Sequence, residues 1–215
     1  MDSAKEIARD MLRAISLDDS GVLVNFAKGF ISFSVSIAYL GYDRLDTEHY
    51  RNNKNDKYRI AGLVERGTFR KEVIERVIGV FMDDFTSRIN FEKTTDMIDR
   101  TGANLIGKLA FSQLTGFSLG RALTANATSA FFAGAVVGTI LYLGSEASRA
   151  IYTSRRLELT NPKIYFKLRR MGDLDLLYFI VQDIVGPFEK ACVMHDENPL
   201  EFDKICELFF LGLKA

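Results

Sequence analysis

An all-α fold follows from three observations on the sequence. Proline is absent from residues 1–161, and apolar residues recur at three- and four-residue spacing over long stretches. Strand-like and helix-like patterns do not alternate, which argues against βαβ architectures. The expected architecture is a single-domain helical bundle over residues 1–215, with amphipathic helices wrapped around a central uncharged Gly/Ala-rich helical hairpin at about 103–145.

The elements follow in order. Ala4, Ile7, Ala8, Met11, Leu12 and Ile15 lie at helical spacing and predict an amphipathic first helix. In residues 22–42 the only charge is Lys28. There Leu23, Phe26, Phe30, Phe33, Ile37 and Leu40 fit a helical face, while Ser32, Ser34 and Ser36 alternate with apolar residues as in a strand. Residues 43–67 are dense in charge and Asn and read as an exposed connection with at most a short helix. Thr68 is the expected cap of a helix in which Phe69, Val73, Val77, Phe81, Phe85 and Ile89 recur every four residues. Asn161-Pro162 and Asn198-Pro199 each present a capping residue with proline at the first helical position. Gly186-Pro187 is expected to stop a helix that begins near Asp173, giving helices at about 162–171, 173–185 and 199–213.

The chain balances 28 Lys and Arg against 28 Asp and Glu. It therefore has no general attraction for nucleic acid, and none is expected as a partner. Two cysteines are too few for a disulfide framework. The opening MDSAKEIARD has neither a basic n-region nor an apolar h-region, so the expectation is synthesis in the cytoplasm without a signal peptide.

One segment departs from the rest. No acidic residue occurs in 101–145, and within 109–145 the only charge is Arg121. Residues 122–145 would form a helix of roughly 36 Å, against a hydrocarbon core of about 30 Å. Their composition is only moderately apolar, which suits burial in a bundle and entry into a bilayer about equally. The side chains expected to enter the membrane are Leu109, Phe111, Leu114, Phe117, Leu119, Phe131, Phe132, Val136, Val137, Ile140, Leu141 and Leu143. Gly116 with Gly120, and Gly134 with Gly138, form two GxxxG pairs that let helix backbones approach closely. Downstream, Arg149, Arg155, Arg156, Lys163, Lys167, Arg169 and Arg170 accumulate against a single acid, Glu158. Arg149, Arg155 and Arg156 are the expected headgroup-binding residues. The same features also fit a buried central helix pair and a solvated basic face paired with the C-terminal acids Asp183, Glu189, Asp196, Glu197, Glu201 and Asp203.

The layout, carried by GKLAFSQLTGFSLGRALTANATSAFFAGAVVGTILYLGSEASR, resembles the pore-forming toxins of bacterial competition. These are the colicin pore-forming domain and the small ion-selective pore-forming effectors of the type VI secretion system. The resemblance implies a protein that is soluble when made, leaves by a non-Sec route and inserts into a target-cell inner membrane to conduct ions. It also implies partners: the target bilayer, a cognate immunity protein, a component of the secretion apparatus and further copies of the chain within the membrane. Amphipathic helices, residues 68–89 among them, would open like a shell and lie in the interface. Arg121 within the hairpin departs from the colicin pattern, as does the lack of a long translocation region among these residues. Two other readings stay open: a permanent inner-membrane protein, and a soluble helical interaction protein of adaptor or immunity type.

No enzymatic activity, cofactor or metal site is expected. Gly102 to Lys108 matches GxxxxGK but puts Leu109 where a hydroxyl should meet magnesium. His49 and His195 read as surface residues without metal-ligand spacing. Cys192 and His195 lack an oxyanion-type loop, and Asp173 and Asp175 read as helix-end carboxylates.

Overall fold

The computed structural model describes residues 2–15, 50–68, 70–90, 92–94 and 145–212. The expected element at 22–42 and nearly all of the expected hairpin at 103–145 lie outside them. Among the described residues the fold is all-α, with seven α-helices, one 3-10 turn and no strand. The helices are α1 (Ala4–Ile15), α2 (Tyr50–Glu65), α3 (Lys71–Thr86), α4 (Ser145–Thr160), α5 (Pro162–Arg170), α6 (Tyr178–Glu197) and α7 (Pro199–Gly212). The 3-10 turn, Leu174–Leu177, leads directly into α6.

α1 starts where local chemistry starts it. Ser3 Oγ accepts from the Glu6 amide at 3.3 Å, and the Glu6 carboxylate accepts from the Ser3 amide at 2.8 Å, a reciprocal capping box. Ala4, Ile7, Ala8, Met11 and Ala14 are buried, and this face packs against α6 and α7. The closest approach falls at Gly212, where an added Cβ would lie 2.2 Å from a Leu12 methyl. Asn161 caps α5 as expected, its side chain accepting from the Ile164 amide with Pro162 at the first position.

Three expectations need correction. The charged stretch at 43–67 contains the 16-residue helix α2, whose Ile60 and Leu63 are buried. α3 begins at Lys71 with Arg70 at its cap, not Thr68. Thr68 instead closes the end of α2, its amide donating to the Leu63 carbonyl, and its own carbonyl accepts from Arg70. Finally, Pro187 does not stop a helix but lies inside α6, which runs on to Glu197. Proline removes one helical hydrogen bond. Ile184, Val185, Phe188, Ala191 and Cys192 are buried on both sides of it, so the apolar face that holds α6 in the core continues through the break.

α6 is the axis of the core, touching α1, α3, α4 and α7. Phe85 of α3 meets three rings edge-on, with centroids 5.3 Å from Phe188, 6.0 Å from Phe202 and 6.3 Å from Phe209. Such contacts add to the area each ring buries. The Phe85→Ala variant is therefore expected to lose about 3–5 kcal/mol of unfolding free energy. Chemical denaturation monitored by circular dichroism measures the loss.

Candidate functional site

Of the residues that the sequence assigns to a membrane role, Arg149, Arg155 and Arg156 fall on α4. The apolar side chains from Leu109 to Leu143 lie outside the described residues, as do the helix-packing glycines Gly116, Gly120, Gly134 and Gly138. The three arginines have different surroundings in this folded form. Arg149 is buried, with its guanidinium 5.8 Å from the centre of the Phe179 ring. Arg155 lies over the Tyr152 ring and donates from Nη2 to Asp56 at 2.9 Å. Arg156 donates to Gln182 Oε1 at 2.5 Å. In this folded form Arg149 belongs to the core, and Arg155 belongs to an ionic cluster.

Arg59 of α2 is the centre of that cluster. Its Nε donates to Asp173 at 2.7 Å, Nη1 to Asp56 at 2.9 Å, and Nη2 to both carboxylate oxygens of Asp175 at 2.6 and 2.7 Å. Asp175, with no exposed surface, also accepts from Ser154 Oγ at 2.7 Å. Burial alone would make the Arg59 guanidinium easier to deprotonate; the hydrogen bonds and charges of Asp175, Asp173 and Asp56 more than offset this and raise its pKa above the ordinary value. The turn between α5 and α6 makes the geometry possible. Gly172 adopts φ +99° and Asp173 follows at φ +67°, a left-handed conformation that Asp tolerates better than most residues. The reversal turns both aspartates toward α2.

Two cations of the basic segment pair with acids outside the C-terminal region. Arg155 pairs with Asp56 of α2, and Lys163 with Asp84 of α3 at 2.7 Å. Two of the C-terminal acids are taken by cations just beyond the end of α3: Asp196 by Arg88 at 3.4 Å, and Asp203 by Lys93.

A groove of about 830 Å³ runs along α6 between α1 and the junction of α4 with α5. Tyr178, Glu189 and Cys192 line it. The Tyr178 hydroxyl donates to Glu189 at 2.7 Å, and the Asn161 amide donates to the same carboxylate at 3.4 Å. Burial pushes the Glu189 carboxyl above the usual range, only partly countered by these hydrogen bonds and the Arg156 charge. Burial likewise pushes the Cys192 thiol up to about 12, the reverse of what a nucleophile needs. His195 is held by Asp196 at 3.0 Å and packs edge-on against Phe202. No group of His, Cys, Asp and Glu among the described residues could hold a metal ion.

Arg59→Ala would leave the Asp175 charge buried without its counterion, and a loss of about 3–5 kcal/mol of stability is expected. Replacing both partners, Arg59→Met with Asp175→Leu, should recover most of it, as a double-mutant cycle in urea would show. Glu189 gives a pH signature. Its folded pKa lies above the unfolded one, so the native state holds the extra proton and stability falls as pH rises from the unfolded pKa toward the folded one. Glu189→Gln should flatten that fall, measured as Tm against pH from 4 to 8.

Comparison of the chain with family models, with curated proteins and with solved structures returns no match.

Proposed function

We propose that this chain is a membrane-active protein of the pore-forming kind, folded in water and able to place the region around 103–145 in a target bilayer, where it conducts ions. The observation that carries the reading is the run 109–145, with Arg121 as its only charge, and close behind it residues 149–170, with seven cations and one acid. Among the described residues no helix is long and apolar enough to cross a membrane. The acid-free run offers no carboxylate for a cation path, and selectivity would come from Thr, Ser and Asn groups, backbone carbonyls or acids elsewhere in the chain. Delivery to a target-cell inner membrane, a cognate immunity protein and a secretion-apparatus partner belong to the same proposal. So does self-association through the glycine pairs Gly116 with Gly120 and Gly134 with Gly138.

The α6 groove favours a second reading, a helical interaction protein of adaptor or immunity type. Arg88, Lys190, Asp183 and Glu197 around it present mixed charge, a surface suited to another polypeptide. Potassium release from anionic liposomes separates the two. Release of potassium with retention of a large trapped dye, absent in a variant lacking 109–145, is expected of the pore. A folded protein that releases nothing at neutral or mildly acidic pH would remove the pore reading and leave the interaction protein.

A further inference from the structure

We propose that the exposed face of α5, together with the end of α4 beside it, is a docking surface for an anionic lipid bilayer. α5 carries Lys163, Lys167, Arg169 and Arg170 in nine residues and no acid. At 3.6 residues per turn, Lys163, Phe166, Lys167 and Arg170 share one side of the helix, opposite the buried Ile164, Tyr165 and Leu168. The aromatic ring between the cations is not tucked away: Phe166 is 49% exposed. Leu159, in the last turn of α4, is 84% exposed.

These cations keep their reach. Lys163 bonds Asp84 yet its side chain remains 73% exposed, and Lys167 comes no closer than 3.9 Å to Asp83. Arg170 is exposed at the helix end. Arg169 folds back onto the Tyr165 ring and hydroxyl, so it contributes charge more than contact. An acidic protein would be satisfied by the cations alone. Phe166 and Leu159 instead gain by leaving water for the boundary between headgroups and acyl chains, while Lys and Arg reach the phosphates from above. The chain as a whole is neutral, so the attraction is local and short in range.

The proposal takes its setting from the membrane-active reading, but it is tested by binding and not by conductance. The full chain is floated with phosphatidylcholine vesicles carrying increasing phosphatidylglycerol. Binding should rise with phosphatidylglycerol and fall with salt. Lys167→Gln with Arg170→Gln should weaken it about 25-fold, roughly fivefold for each charge. Leu159→Ser with Phe166→Ser should weaken it without changing its salt dependence. All four side chains are on the surface, and an unchanged Tm shows that the variants are folded. Variants that bind like the wild type overturn the proposal. A wild type that fails to float at any phosphatidylglycerol fraction also overturns it, leaving an acidic protein as the partner this face fits. Potassium release from the same vesicles separates the two ideas. Binding that the variants lose, without any leak from the wild type, keeps the docking face and removes the pore; a leak that the variants leave unchanged does the opposite.

Discussion

The Asp175 carboxylate has no contact with water, and the arrangement around it follows from that. A charge placed there is costly unless a counterion and further donors meet it. Arg59 supplies the counterion through two bonds to the carboxylate, which fixes how α2 lies against the turn before α6. Ser154 supplies the next donor and so sets α4 against the same turn. Asp56, one helical turn before Arg59, then receives Arg155 from α4. These pairings match the buried Asp175 charge with a cation and a further donor. The net stabilisation from such a cluster is small, because desolvation takes back most of what the pairing contributes; its effect is on which packing is allowed. It also ties the chain before residues 95–144 to the chain after them.

Much of the bundle was legible in the sequence because it depends on neighbours close in the chain. The periodicity of α1 and α3 reports which face is buried, and Asn161-Pro162 and Asn198-Pro199 mark true helix starts. What escaped depends on partners far away. α2 looks like an exposed connection because its polar residues dominate, yet Arg59 meets acids 114 and 116 residues later. Ile60 and Leu63, three residues apart and one turn from Asp56 and Arg59, were the available signal. Asp173 and Asp175 read as helix-end carboxylates for the same reason: no local feature tells a solvated aspartate from one aimed into the core. Pro187 misled in the opposite sense. A breaker is visible locally, whereas the packing that carries α6 through it is not.

Charge shows a related contrast between the whole and its parts. The equal totals of acid and base exclude a general attraction to polyanions, but they conceal segregation along the fold. α5 is wholly cationic, and the acids that balance it nearby, Asp83 and Asp84, sit on α3. Arg149, Arg155 and Arg156, which a linear count adds to the same basic run, are spent on a ring, a carboxylate and an amide. The basic segment is visible as a run of residues; burial divides it into cations that hold the bundle together and cations that face outward.

This division bears on how a membrane-active form would arise. Opening the amphipathic helices like a shell would pull α3 from the core, separating Phe85 from Phe188, Phe202 and Phe209 and Phe81 from Tyr178. Burial of each such ring is worth about 1.5–3 kcal/mol before any ring-ring term, and α3 also buries Val73, Ile74, Val77 and Ile78. That loss is comparable with the whole stability of an ordinary domain, about 5–15 kcal/mol. A route that leaves α3 packed on α6 keeps these contacts. Residues just before 103–145 are held by Arg88 to Asp196 and Lys93 to Asp203, and those just after by the burial of Ser148, Arg149, Ala150 and Ile151. The preceding flank therefore has ion-pair anchors within the described bundle. On energetic grounds, a bundle whose α3 stays packed on α6 is a better fit to this core than a shell that opens.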